Sequence, residues 1–145
     1  RNISASVPSD HYTVEIGKAS VVNEGNAATI ITYGMGVQWA MDLVKTKNQD
    51  IEVIDLRSLA PIDYDAISNS VKKTNKVLIL HEDSLVGGIG GEISAYISEH
   101  LFEYLDGPVL RCASLDTPVP FAKELEKEYL ASFRLEDQIE KLLSY

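Results

Sequence analysis

Four runs of almost unbroken apolar residues constrain this chain most: 28–33 (ATIITY), 51–55 (IEVID), 76–80 (KVLIL) and 109–113 (VLRCA). A strand that alternates apolar and polar residues needs cover on one face only. A continuous apolar run needs cover on both. Between the runs lie stretches with the period of a helix. Val37, Ala40, Met41 and Val44 form one stripe, and Tyr64, Ile67 and Val71 form another, behind Asp63 as a candidate cap. Ile93, Ile97, Leu101 and Tyr104 form a third, stopped by Asp106-Gly107-Pro108. Leu135, Ile139, Leu142 and Leu143 mark a last helix. Strands alternating with helices of this length predict βαβ units and a mainly parallel sheet covered on both faces, an α/β fold.

The remaining stretches are punctuation. Residues 1–11 (RNISASVPSDH) are polar and aperiodic, and read as a linker or arm ahead of one domain over 12–145. Residues 12–22 hold short β-favouring pieces interrupted by Gly17. The turn signal NEGN (23–26) then predicts a hairpin, with the first strand antiparallel to the second. That brings the count to five strands. The segment DTPVPF (116–121) reads as a rigid loop, and KELEKE (123–128) as a solvated helix face. The chain shows no internal repeat.

Bulk properties exclude several classes. With 13 basic and 22 acidic residues the net charge is −9, which argues against nucleic acid and suits a basic protein partner. No run approaches the roughly 18 apolar residues of a membrane span. The one cysteine, Cys112, allows no internal disulfide. These features together predict a soluble, cytoplasmic protein. The chain starts at Arg1 and not Met, and reads as a piece of something longer.

The segment HEDSLVGGIGGEI (81–93) concentrates the chemical possibilities. A dinucleotide fingerprint needs a third glycine, but counting from Gly88 that position is Ile93, and counting from Gly34 it is Trp39. No phosphate-loop motif occurs. The glycines leave two readings: backbone N–H groups open to an anion at a helix N-terminus, or positive φ and close packing. The second is favoured. His81 and Glu82 sit at the end of a strand, where ligands gather in open α/β sheets, and are the only candidates for acid–base work. His11 and His100 have no metal-ligand spacing to His81. Asp55 and Arg57 suggest a local ion pair, or an acid-binding pair. Cys112 reads as a core residue. Residue chemistry alone describes an α/β domain without a self-sufficient active site. A stand-alone nucleotide-binding module and a pure interaction domain are the rival readings.

Longer stretches carry a family resemblance. In order, GNAATIITYGMGVQWAMD (25–42), IEVIDLRSLAPID (51–63), SVKKTNKVLILHEDSLVGGIGGEI (70–93) and LDGPVLRCASLDTPVPFAKELE (105–126) resemble the C-terminal domain of the transketolase superfamily. They are most similar to the beta subunit of thiamine-diphosphate-dependent 2-oxo acid dehydrogenases. The resemblance implies a three-layer α/β/α sandwich, with one antiparallel strand in a five-stranded mixed sheet. It implies that thiamine diphosphate and Mg²⁺ are held outside this domain, by a Gly-Asp-Gly…Asn motif absent from these residues. It therefore implies no catalytic, cofactor-binding or metal-binding residue here. It implies 2-oxo acid decarboxylation with acyl transfer to lipoyl groups, branched-chain 2-oxoisovalerate ahead of pyruvate. The implied partners are other subunits of the dehydrogenase and the basic subunit-binding domain of a dihydrolipoyl acyltransferase. Asp106, in the family's Leu-acid-x-Pro segment, and the carboxylate of Tyr145 carry over as docking contacts.

Overall fold

In the computed structural model, which describes residues 6–145, every apolar run lies in one sheet. The elements are β1 (Ser20–Asn23), β2 (Ala28–Thr32), α1 (Met35–Lys47), β3 (Ile51–Asp55), α2 (Tyr64–Thr74), β4 (Val77–Ser84), α3 (Gly90–His100), β5 (Leu110–Ser114), α4 (Lys123–Tyr129) and α5 (Leu135–Leu143). Short 3₁₀ turns follow α3 and α4. The strand order is β1-β3-β2-β4-β5. β2, β3, β4 and β5 run parallel, and β1 is antiparallel to β3.

Side-chain alternation sorts the core into two halves. Ile30, Val53, Leu78 and Leu80 meet Ala40 and Val44 of α1 and Ile139 and Leu142 of α5. Ile31, Ile54 and Ile79 meet Ile67 and Val71 of α2 and Ile93 and Ile97 of α3. The result is the expected three-layer α/β/α sandwich with a five-stranded mixed sheet.

Two local expectations change. The hairpin pairing is not formed: β1 bonds to β3 and not to β2, with Ser20 opposite Asp55 and Val21 opposite Ile54. The NEGN turn crosses the start of β3. Asn26 and Ala27 both donate backbone N–H bonds to the Asp50 carbonyl, at 3.1 and 2.8 Å, and Gly25 leaves no room for a Cβ against the Ile51 backbone. That crossing puts β1 outside β3 and β2 inside it. The 76–80 run also extends further than expected: β4 continues past Leu80, through His81 to Ser84. Of the N-terminal arm, residues 1–5 lie outside the described residues, and 6–19 form neither helix nor strand and are mostly exposed.

Asp63 caps α2 as anticipated, accepting from the Ala66 N–H at 3.1 Å, and also accepts from Ala19 N–H at 3.0 Å. Burial works to raise its pKa, but those N–H bonds outweigh it and hold the carboxyl below its usual range. A second polar tie was not anticipated. Glu52 is buried within β3 and accepts from Ser70 and Lys73 of α2. Ser70 and Thr74 also bond to Thr29 of β2, each at 2.7 Å. The network fixes α2 across the amino ends of two strands. Ser70→Ala removes its central hydroxyl and is expected to lower stability by about 1–3 kcal/mol, read as a shift of the urea midpoint.

Candidate functional site

β4 delivers His81 and Glu82 to opposite faces of the sheet, because neighbouring residues of a strand alternate. His81 points toward α3 and is fully buried. Its ring stacks on Tyr33, with centroids 6.4 Å apart and planes 12° apart. Neither ring nitrogen has a hydrogen-bond partner. Glu82 is exposed. The structure does not bring the two together as an acid–base pair.

The glycine cluster is explained by that ring. A Cβ on Gly88 would lie 2.6 Å from His81 Cε1, and one on Gly90 would lie 2.5 Å from His81 Nε2. Two side-chain-free positions let the start of α3 close over the imidazole. Gly87, at φ 79°, supplies the left-handed turn before it. The space that a side chain at Gly88 or Gly90 would need is occupied by His81. Burial lowers the His81 pKa below its ordinary value, and Arg111 adds to the effect. The nearby negative charge of Asp83 acts the other way and is outweighed.

The strand order reverses direction between β2 and β4, and such a switch point leaves a crevice at the carboxyl ends. A cleft of about 420 Å³ lies there, lined by Tyr33 from the end of β2, Glu82 and Asp83 from β4, and Val119, Glu126 and Tyr129 from the segment after β5. No lysine or arginine pairs with Glu82, Asp83 or Glu126 among the described residues. Burial raises the Tyr33 pKa, and the charges of Asp83 and Glu82 push it the same way. The sequence reading singled out Glu82 alone. Tyr33, Asp83, Glu126 and Tyr129 come from three separate stretches, and only the strand order shows that they meet.

The other candidates take quieter places. Asp55 does not pair with Arg57 through side chains. Its carboxylate accepts the Arg57 backbone N–H at 3.0 Å, while the guanidinium donates to the Ala19 carbonyl at 3.2 Å. Arg57 holds φ 55°, so the turn points its side chain at β1. Cys112 is buried, its thiol contacts the Ala131 carbonyl at 3.4 Å, and burial pushes its pKa up to about 11. Asp106 and Tyr145 sit at the opposite, amino end of the strands. The Asp106 N–H donates to Asn75 O at 2.9 Å, just before β4. A Cβ on neighbouring Gly107 would lie 3.0 Å from the Tyr145 side chain. The two docking candidates are therefore adjacent and both exposed. Among the described residues, no group of three or more His, Cys, Asp or Glu is arranged to hold a metal ion.

With this geometry in place, comparison with known proteins is decisive on one point. The family described as "Transketolase, C-terminal domain" matches residues 17–134. The chain belongs to that family. Relatives of this transketolase C-terminal domain include the "Pyruvate dehydrogenase E1 component subunit beta" of Porphyra purpurea, 45% identical over 129 residues, covering 87% of this chain and 39% of that protein. The "2-oxoisovalerate dehydrogenase subunit beta" of Bacillus subtilis (strain 168) is 40% identical over 136 residues, covering 91% of this chain and 42% of that protein. A solved structure titled "Split gene transketolase, inactive beta4 tetramer" superposes with a TM-score of 0.77 at 26% identity, over 97% of this chain and 46% of that one. The chain thus spans about two-fifths of the length of these curated relatives.

Two outcomes follow from the seat of His81. Unfolded histidine takes a proton near its ordinary pKa of 6.5, and the folded ring resists it. The unfolded state binds more protons below that pH, so stability should be intact above it and fall as pH drops through it toward the folded value. Urea titrations between about pH 7.5 and about pH 5.5 should show that slope, and His81→Leu should flatten it. Gly90→Ala should cost about 1–3 kcal/mol by overpacking. In combination with His81→Ala that cost should shrink, giving a non-additive cycle of about 1 kcal/mol or more.

Proposed function

We propose that this chain is the C-terminal part of the beta subunit, or beta-like half, of a thiamine-diphosphate-dependent 2-oxo acid dehydrogenase. The observation that carries the reading is identity of 45% and 40% to two such beta subunits over nearly the whole chain. On this reading the complete protein is an oxidoreductase. It decarboxylates a 2-oxo acid and passes the acyl group to lipoyl groups. Branched-chain 2-oxoisovalerate ahead of pyruvate is part of the proposal and rests on the motif resemblance alone.

Thiamine diphosphate and Mg²⁺ would be held by another domain or subunit. Two features support this: the sequence has no Gly-Asp-Gly, and its glycine turn is filled by His81. The residues here would instead join subunits of the dehydrogenase and dock the basic subunit-binding domain of the acyltransferase. The adjacent Asp106 and Tyr145 are the proposed contacts. A cytoplasmic setting belongs to the same proposal and is supported by the single, buried cysteine.

Activity tests the enzymatic part. The 145-residue chain, given thiamine diphosphate, Mg²⁺, either 2-oxo acid and an electron acceptor, should show no turnover. The complete protein with its alpha partner should reduce the acceptor, with the larger kcat/KM for 2-oxoisovalerate. Turnover by the short chain would overturn the location of the cofactor. A complete complex inert toward both substrates would overturn the assignment.

Docking is tested separately. Asp106→Lys should weaken binding to the isolated subunit-binding domain by about tenfold and flatten its salt dependence. Unchanged affinity across a salt series would remove Asp106 from the interface.

A further inference from the structure

We propose that the cleft at the carboxyl ends of β2 and β4 docks a basic, partly apolar stretch of another polypeptide. The surface lies at the opposite end of the strands from Asp106 and Tyr145. It does not rest on the functional reading above, and its failure would leave that reading untouched.

Three observations converge. The first is position: the cleft occupies the crevice where the strand order reverses, between Tyr33 and the Glu82–Asp83 corner. The second is charge. Glu82, Asp83 and Glu126 face one cleft, all three are exposed, and none has a cation partner among the described residues. Lys123 and Lys127 lie on the same helix as Glu126 and pair with none of the three. A guanidinium or ammonium group entering the cleft would meet these carboxylates and the Tyr33 and Tyr129 rings, which also favour a cation.

The third observation is exposed apolar surface on the segment that supplies Val119 and Glu126 to the cleft. Val119 is 62% exposed, Leu125 56%, and Phe121 has no cover at all. All three lie on the segment that forms the outer wall. The cleft would satisfy a small cation, but such a ligand would leave this apolar rim in water. A polypeptide covers both, with a basic side chain in the cleft and an apolar one against Phe121. This is the usual division of an interface into a charged, orienting part and an apolar anchor. The local geometry braces the corner: the Ser84 N–H donates to the Asp83 carboxylate at 2.7 Å, and the Val86 N–H donates to Asp116 at 2.8 Å.

The test is fluorescence anisotropy with the full chain and a labelled short peptide of alternating arginine and leucine. The same peptide with glutamate for arginine is the control. Glu82→Gln/Asp83→Asn/Glu126→Gln should weaken binding of the arginine peptide about tenfold or more. Glu103→Gln/Asp137→Asn/Glu140→Gln changes net charge equally but elsewhere, and should change affinity by less than about twofold. Phe121→Ser should weaken binding about threefold or more while keeping the salt dependence. Every substituted side chain is exposed, so folding is not at stake. Equal weakening by the two triple variants would reduce the effect to net charge and overturn the proposal. So would equal binding of the glutamate peptide, an indifferent Phe121→Ser, or displacement by argininamide at the concentration at which the peptide itself competes.

Discussion

β2 is buried on both faces along all five of its residues, and the architecture is a response to that. A strand of this kind needs helices above and below it. Crossovers between parallel strands are almost always right-handed. From β2 the chain crosses one face through α1 to β3. It then crosses the other face through α2, back over β2, to β4. Handedness together with two-sided burial thus requires the chain to leave β2 in one direction and return in the other. The crevice at the carboxyl ends of β2 and β4 is the geometric remainder of that reversal. It would exist whatever residues lined it, and what gives it chemistry is that Tyr33, Glu82 and Asp83 fall at its two lips.

Glu52 and His81 are both buried in this sheet, under opposite terms. Glu52 is fully enclosed by donors: Ser70 and Lys73 bond its two oxygens. These bonds help lock α2 onto the sheet, and removing either donor would leave a buried carboxylate oxygen unpaired, at a cost larger than the net value of the bond itself. His81 has no partner for either nitrogen. It is tolerated because imidazole can be buried neutral, and because the glycines let α3 and Tyr33 cover its faces closely enough to recover dispersion energy. The first site adds specificity of helix placement. The second depends on shape alone, and so is sensitive to one added methyl group.

What the sequence disclosed follows the same division. Features set by local pattern were legible: the apolar runs became strands, Asp63 became a cap, and Cys112 lay in the core. Features set by which element lies next to which were not. SVVN followed by NEGN signals a reversal of the chain, but the choice of β3 over β2 as partner depends on Asp50 and Gly25 at the crossing. The end of β4 was hidden because HEDS is polar, although Ser84 still lies opposite Ser114. The Asp55–Arg57 spacing was seen, but a left-handed Arg57 turns the expected ion pair into a backbone contact. Glu126 lies 44 positions from Glu82 by subtraction of their numbers, and nothing local connects them; the cleft does.

Glycines after a parallel strand have two physical causes that look alike in a sequence. In one, the backbone must come close to a phosphate, and the open side of the glycines faces solvent. In the other, the backbone must come close to a bulky side chain of the chain itself, and the open side faces the core. Here His81 at the end of the strand, Gly88 and Gly90 form one unit: the ring precedes the glycines by seven and nine positions and lies beneath both. The decisive observation is what a Cβ would strike. At Gly90 it would strike the imidazole, and at Gly88 both the imidazole and the Ser84 carbonyl oxygen, so the two glycines make room for the chain's own atoms. A site built this way holds a corner of the fold in place.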